Sequence, residues 1–531
     1  MKNRIFAILI ACALIASLAA CGSPAPAATT QAATTAAPAT TTAAPATTAA
    51  PTTTAAPAEP ELPPYEIVYC LLSNEVYSDI AVVEEAINAL TVPLINATVK
   101  FRQGTWSDWE ERALLPIQAG EKTDLVFTAD WYHYMRSITQ NIIIPLDDPN
   151  SQYGDLLNTY APDAVRLLGD AFIKGVQVDG IAYGVPTNKE LTVPRGMQWN
   201  ETLVEKYNID IDSIMTDRDL DEVFAIVKEG EGRDFYPLLG YGWMNPYFNV
   251  AGGVSEAVMR NDRLPDGKDD MTIYWLPETP EYAAHLDHFR EWNLLGYINP
   301  DAALTTYRDT EDRFAGRFLV NSGKALTYEG NDAAEMMAAS GNPELRLVDR
   351  VREESRQITT HAGGSMMSIP ITSQDPVRAM MLLNLMHSDA NLISTMVFGV
   401  EGRHFTKVSA NVARVNDDDS WYGVHAGPWI FGNQYIQWTA DGIDTTDKYD
   451  LLRAFSQSGD PHVSLGFRFI LEPVENEVAA IASVRTAERS LLSGSVDPKV
   501  ELPKYIQAMK DAGAEKVLLE VVNQFNKWLG N

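Results

Sequence analysis

Cysteine is scarce in this 531-residue chain, with 3 in all, at Cys12, Cys21 and Cys70. The first two fall in an N-terminal leader, so Cys70 stands alone in the body and an internal disulfide is excluded. Basic residues are also short, 41 Lys+Arg against 71 Asp+Glu, for a net charge of -30. That deficit argues against nucleic acid or a bare anionic membrane as partner. Beyond the leader no apolar run reaches the length of a membrane span. No Walker A loop, HExxH, GxSxG or paired CxxC occurs, so no catalytic motif stands out. The 8 His are scattered without metal-ligand spacing, and nothing calls for a cofactor. Asp417-Asp418-Asp419 could touch a cation, but a solvated loop is the plainer reading.

What is there begins at residue 1. Lys2 and Arg4 form a short basic region, followed by an apolar run over 5–16 that is short for a bilayer. Leu18-Ala19-Ala20-Cys21-Gly22 follows, with small residues ahead of a thiol that can carry a diacylglycerol. This box resembles the lipobox of bacterial lipoproteins. Residues 1–20 therefore read as a signal peptide and Cys21 as the lipidated N-terminus. Each buried CH₂ of such an anchor contributes about 0.8 kcal/mol. Residues 21–64 are mostly Ala, Thr and Pro in TTAAP-like repeats. Such a segment has little apolar surface to bury and reads as a disordered, semi-extended stalk, at up to ~3.1 Å per residue.

The remaining residues, about 465, suffice for a large two-lobed body. A buried strand is predicted over 65–72 (YEIVYCLL), a helix over 80–90 with Asp79 as cap, a strand over 97–102, and a third strand over 124–128 (DLVFT). Ser107-Asp108-Trp109-Glu110 has the form of a capping box and predicts a helix to about Ala119. This alternation predicts an α/β lobe with a mostly parallel sheet. Further on, 180–187 reads as a strand, and 201–207 and 220–229 as helices. A hairpin is expected over 261–275, turning at Asp266-Gly267. Thr279-Pro280-Glu281 reads as a helix start, with Tyr282, Leu286, Phe289 and Leu294 spaced for one face and an end near Gly296. A strand over 324–328 and helices over 332–339, 376–386 and 391–398 follow. Two closing helices over 504–528 are broken at Gly513.

Several segments are familiar in this order: GIAYGVPTNKE at 180–190, ETPEY and GYINPDA within 274–302, FGNQ at 431–434, LGF at 465–467, Pro473-Val474, and AMKDAG at 508–513. Together with the lipobox and the α/β pattern they resemble the extracellular solute-binding proteins of ABC transporters, family 1, oligosaccharide-binding type. The resemblance is to the lipoprotein LipO-like subgroup with its distinct C-terminal domain, and it covers 65–531. It implies a two-lobed periplasmic-binding-protein-like fold with a hinge and an interlobe ligand cleft. Lobe 1 is expected from 65–183 plus 318–400, and lobe 2 from 184–317 plus 401–531. It also implies a non-enzymatic, lipid-anchored protein on the extracytoplasmic face of the membrane. That protein would capture an oligosaccharide and present it to the permease subunits; nothing in the sequence suggests more than a monomer.

A sugar site needs flat aromatic rings beside groups that bond two hydroxyls. Strand ends are where α/β lobes place ligands. Asp130, Trp131 and Tyr132 follow the DLVFT strand, with Trp131 expected to stack and Asp130 to accept hydroxyls; the alternative is that Trp131 caps the core. Asn188 and Glu190 follow the crossover strand and are assigned hydrogen bonds from the hinge side. Tyr247 is the family's choice within an aromatic loop that also holds Tyr241, Trp243 and Phe248. Glu329 and Asn331 end the strand over 324–328. Trp429 and Phe467 could form a second platform or simply pack. Trp109 reads as core, and Trp106 is left open. Three other readings stay in play. One is an anchored glycoside hydrolase using Asp130 and Glu190, another a receptor for a peptide or other polar solute, and the third a ligand sensor for a membrane kinase.

Overall fold

A computed structural model of the chain describes residues 62–530 apart from 79, 215, 241–246, 305–311, 313–314, 322–336, 338–339, 341, 417–420 and 423, and apart from the side chains of 193–195 and 351–355. The expected leader, Cys21, the stalk up to 61, Asp79, Tyr241, Trp243, the 324–328 strand, the 332–339 helix apart from Met337, Glu329, Asn331 and the 417–419 acids lie outside the described residues.

The strand Tyr65–Ser73 is central to the first lobe. Ile67, Tyr69, Cys70, Leu71 and Leu72 are all buried, so both of its faces are covered, as in a parallel sheet packed between helices. It pairs in parallel with Ala97–Thr105 on one side and Leu125–Thr128 on the other. Met366–Ser368 and then Val185–Pro186 complete the five strands, both joined antiparallel. Helices Ile80–Ile95, Pro162–Val176, Pro376–Ser388 and Ala390–Phe398 bury their apolar residues in this lobe.

A second lobe holds a four-stranded sheet in the order Leu347–Gln357, Thr192–Asn200, Val320–Asn321, Leu238–Leu239. Its core packs Trp199, Leu220, Phe224, Phe289 and Trp292. A three-stranded sheet, Tyr274–Trp275, Val254–Arg260 and Phe248–Ala251, lies against the terminal helices Glu475–Val484, Pro498–Asp511 and Ala514–Trp528.

The cores divide the chain differently from the expected boundaries. Phe405, Trp421, Phe431 and Trp438 pack in the first lobe's core, although 401–531 was assigned to lobe 2. Leu319, Val320 and Leu347 belong to the second lobe, although 318–400 was assigned to lobe 1. The reason lies in strand pairing. Pro186 still pairs with Met366 in the first sheet, while Val320 pairs with Trp199 in the second. The chain therefore crosses after 187, returns after 357, and crosses again near 456–466. The three segments are laced together. Leu191 N–H donates to Ser456 Oγ (3.0 Å), and Thr192 Oγ1 donates to Ser456 O (3.0 Å). Gln357 N–H donates to Asp460 O (3.0 Å), and Thr359 Oγ1 donates to Ser464 O (2.9 Å).

Local signals fared unevenly. Thr279 caps Pro280–Leu294, its hydroxyl accepting from Tyr282 N–H (3.3 Å), and Gly296 ends the turn at φ 72°. Leu294, however, is 68% exposed, and Trp292 takes the buried position instead. The expected capping box does not form. Asp108 Oδ1 accepts from Thr105 N–H (2.6 Å) and Thr105 Oγ1 (2.8 Å), closing the turn back onto the strand, and Glu110 pairs with Arg136 (2.7 Å). A carboxylate next to a residue offering two donors outcompetes the Ser107 hydroxyl.

Candidate carbohydrate-binding face

The parallel register sets Ser73 beside Thr105, so the strands of the first lobe end on one edge. Trp106 follows the strand Ala97–Thr105 directly. After Leu125–Thr128 the chain makes a tight turn. Ala129 and Tyr132 exchange both backbone hydrogen bonds (2.8 and 2.9 Å), leaving Asp130 and Trp131 at the tip. Trp429 comes from the 3-10 turn Pro428–Ile430. These segments bring three indoles and a phenol together. Trp106 stacks with Trp131 (centroids 5.8 Å, 29°) and with Trp429 (6.3 Å, 23°), and Trp131 lies 6.2 Å from Trp429. Tyr132 meets Trp106 edge-on at 5.6 Å.

The rings are fixed by their edges. Trp131 Nε1 donates to Gly364 O (2.9 Å) in the second crossing segment, and Trp106 Nε1 donates to Asn74 Oδ1 (3.0 Å). Trp131 is nevertheless 55% exposed and Trp106 39%. With the N–H groups engaged, what these rings offer is their apolar faces. Exposed, immobilised aromatic faces beside a hinge suit the CH faces of a pyranose.

The Trp429 turn rests on buried His425. His425 Nε2 bonds Val397 O (2.9 Å), and Nδ1 accepts from Gly427 N–H (3.1 Å). Burial lowers the imidazole pKa to about 4, so the ring is neutral and can accept that bond. Gly427 has φ 142°, and a Cβ there would meet the Trp429 ring at 2.5 Å, so the glycine admits the indole.

The other residues singled out from sequence are distributed as follows. Asp130 turns away from the rings and forms a buried ion pair with Arg468. Burial pushes its carboxyl pKa up, and Arg468 pulls it back. Asn188 is 6% exposed. Its backbone bridges to 432–434, and its Nδ2 donates to Leu167 O (3.3 Å), so it binds the crossover rather than facing the rings. Glu190 pairs with Lys189 (2.6 Å). Burial raises its carboxyl pKa, but Lys189 and then His361 outweigh that and hold it below the usual range. Both members of the imagined hydrolase pair are thus engaged by cations. Tyr247 is 45% exposed on the second lobe, beside residues outside the description. Phe467 is 1% exposed and packs edge-on against Phe525 at 5.1 Å, so it belongs to the core of the terminal helices, not to a second platform. Trp106, left open by sequence, is the ring that joins Trp131 to Trp429.

Two α/β lobes laced by crossing segments, with an aromatic face at the strand ends, define a receptor of the two-lobed solute-binding class. A family model described as bacterial extracellular solute-binding protein matches residues 86–431, and one described as a domain of unknown function (DUF3502) matches residues 463–530. The chain belongs to the bacterial extracellular solute-binding proteins. It is 25% identical, over 456 residues, to a carbohydrate ABC transporter substrate-binding protein of Streptococcus pneumoniae, covering 84% of this chain and 87% of that one. The crystal structure of NgtS, an N-glycan transport solute binding protein from Streptococcus pneumoniae, is similar with a TM-score of 0.74 at 22% identity, over 88% of this chain and 100% of NgtS. A solute-binding protein associated with an ABC transporter that binds HMO, from Bifidobacterium longum infantis, gives 0.57 at 14% identity, over 88% and 99%. The distinct terminal part noted in the sequence coincides with the second matched domain.

Proposed function

We propose that the chain is the capture component of an ABC importer for a neutral oligosaccharide, anchored through Cys21 at the outer face of the membrane. The observation that carries this reading is the face formed by Trp106, Trp131, Tyr132 and Trp429 beside the crossing segments. Stacked rings recognise a sugar's CH surfaces, and a hinge lets the second lobe close over it. The carbohydrate-transport relative supports the same substrate class. The bound sugar is released unaltered to the permease.

A thermal-shift screen of the purified chain against oligosaccharides, short peptides and polyols tests this. A sugar at 100 times its dissociation constant stabilises the native state by about 2.7 kcal/mol. Recovery of that sugar intact after overnight incubation is expected. Stabilisation by peptides alone would remove the carbohydrate assignment, and cleavage would make the protein a hydrolase. The anchor is checked separately, since Cys21→Ser should release the protein into the medium and abolish incorporation of a labelled fatty acid.

A further inference from the structure

Two rings of the aromatic face are joined by a single side chain just past the first strand. At the end of Tyr65–Ser73, Ser73 forms an antiparallel bridge with His425. Ala426 N–H donates to Leu72 O (3.1 Å), and Asn74 N–H donates to Val424 O (2.6 Å). The Asn74 backbone is therefore fixed beside the residues that lead into the Trp429 turn. Its carboxamide meets both sides: Oδ1 accepts from Trp106 Nε1 (3.0 Å), and Nδ2 donates to His425 O (2.9 Å).

A carboxamide offers an acceptor and a donor from one rigid plane. A carboxylate of the same shape could still accept from Trp106, but it would turn a lone pair toward His425 O. An alanine would bond neither. The Trp429 turn does not need Asn74 in order to fold, because its other side is held independently. Ser365 Oγ donates to Trp429 O (3.0 Å), and Gln437 Nε2 donates to Pro428 O (3.0 Å). What Asn74 adds is a rigid link between that turn and the Trp106 indole.

We infer that Asn74 is a positioning residue for ligand binding, whose amide sets Trp106 against Trp429, at 6.3 Å and 23°, before the sugar arrives. The inference rests on the carbohydrate reading above. Rings ordered in advance add no ordering entropy to the cost of forming the complex, so the link acts on affinity without touching the ligand. Trp131 is held separately, through Gly364 O, and keeps its place when Asn74 is changed.

The test compares Asn74→Ala and Asn74→Asp with the parent in three readouts. Far-ultraviolet circular dichroism of the ligand-free protein reports ring geometry, because indoles in contact give an exciton couplet that depends on their mutual angle. Among the described residues, the tryptophan pairs in ring contact are the three of this face. Trp106→Phe and Trp429→Phe identify their signal. Calorimetric titration with mono- to hexasaccharides of glucose, galactose, mannose and N-acetylglucosamine gives affinity, and urea unfolding gives stability. Both Asn74 variants should alter the couplet and weaken binding roughly tenfold, with little change in the urea midpoint. Weaker binding with the parental couplet would make Asn74 a direct sugar contact and overturn the positioning role. Parental affinity in Asn74→Ala would overturn it too, and parental affinity in Asn74→Asp would show that the bond to His425 is not needed and overturn the link. In each of these cases the carbohydrate reading stands. A parent that binds no sugar of the panel would overturn both.

Discussion

Trp131 is 55% exposed, unlike the core tryptophans, and its one donor is already engaged by Gly364. Truncating it removes a stacking face while leaving the core untouched. Trp131→Ala should therefore weaken oligosaccharide binding by about 1–2 kcal/mol, roughly tenfold, with little change in unfolding midpoint. Calorimetric titration beside a urea melt separates the two effects, and a large loss of stability with unchanged affinity would make Trp131 a packing residue. His425 makes the opposite case, a fully buried side chain acting through the loop that carries Trp429. Its folded pKa, about 4, lies below the unfolded value near 6.5. The unfolded chain therefore binds the proton that the folded loop refuses. This contribution is fully present above pH about 6.5 and is lost as pH falls toward 4, up to about 3 kcal/mol. His425→Gln should flatten the pH dependence of stability across that window relative to the parent. An identical slope in both proteins would rule out the assignment. Trp131 was legible from sequence because a ring just past a buried strand has nowhere to go but the strand-end edge. Trp429 was expected on a second platform with Phe467 rather than beside Trp131, and Arg468 was not singled out, because their partners lie about 300 or more residues away and no local periodicity encodes that pairing.

Among the elements, those with a hydrophobic period and a strong cap were readable, and those decided by competition between neighbouring polar groups were not. Helix Pro376–Ser388 shows the first kind: Asp375 accepts from Arg378 N–H (2.9 Å), and Leu382, Leu383 and Met386 are buried. Arg378 itself breaks the pattern, a charged residue only 1% exposed on a buried face. Its guanidinium donates to Ile95 O (2.7 Å), Asn96 O (2.9 Å) and Pro63 O (3.0 Å), pinning the end of helix Ile80–Ile95 and the entry to the first strand. Apolar packing cannot replace those bonds, because Ile95 O and Pro63 O would lose the guanidinium as donor, whereas Asn96 O keeps Tyr65 N–H (3.1 Å). Arg378→Met should destabilise by about 3 kcal/mol or more, lowering the urea midpoint. Hydrogen exchange should rise first at residues 95–99. A midpoint within experimental error of the parent would mean that water satisfies the carbonyls. The failed capping box at Ser107 is the second kind, where Thr105 and Asp108 settle the turn before the helix starts.

At the scale of the whole molecule, the α/β alternation predicted a lobe of mostly parallel sheet and the family resemblance implied a second, but neither showed which segments return to which. Short strands such as Val320–Asn321 and Val185–Pro186 carry too few residues to announce their sheet, and their pairing is fixed only in three dimensions. The same long-range order sets the Asp130–Arg468 pair, which joins the strand-end tip of the first lobe to the segment leading into the terminal helices. Arg468 Nη2 also donates to Gly175 O (2.6 Å), and the guanidinium lies 5.1 Å from the Tyr134 ring centroid. Removing one partner of such a pair leaves a buried charge uncompensated, at a cost of about 3–5 kcal/mol, whereas replacing both with neutral groups avoids that cost. Arg468→Met alone should therefore be strongly destabilising, and Asp130→Asn combined with Arg468→Met should recover much of the loss. Urea unfolding of both single variants and the double variant measures the coupling. Additive losses would show that the two side chains act independently, and that the terminal segment is held to the first lobe by apolar packing rather than by this pair.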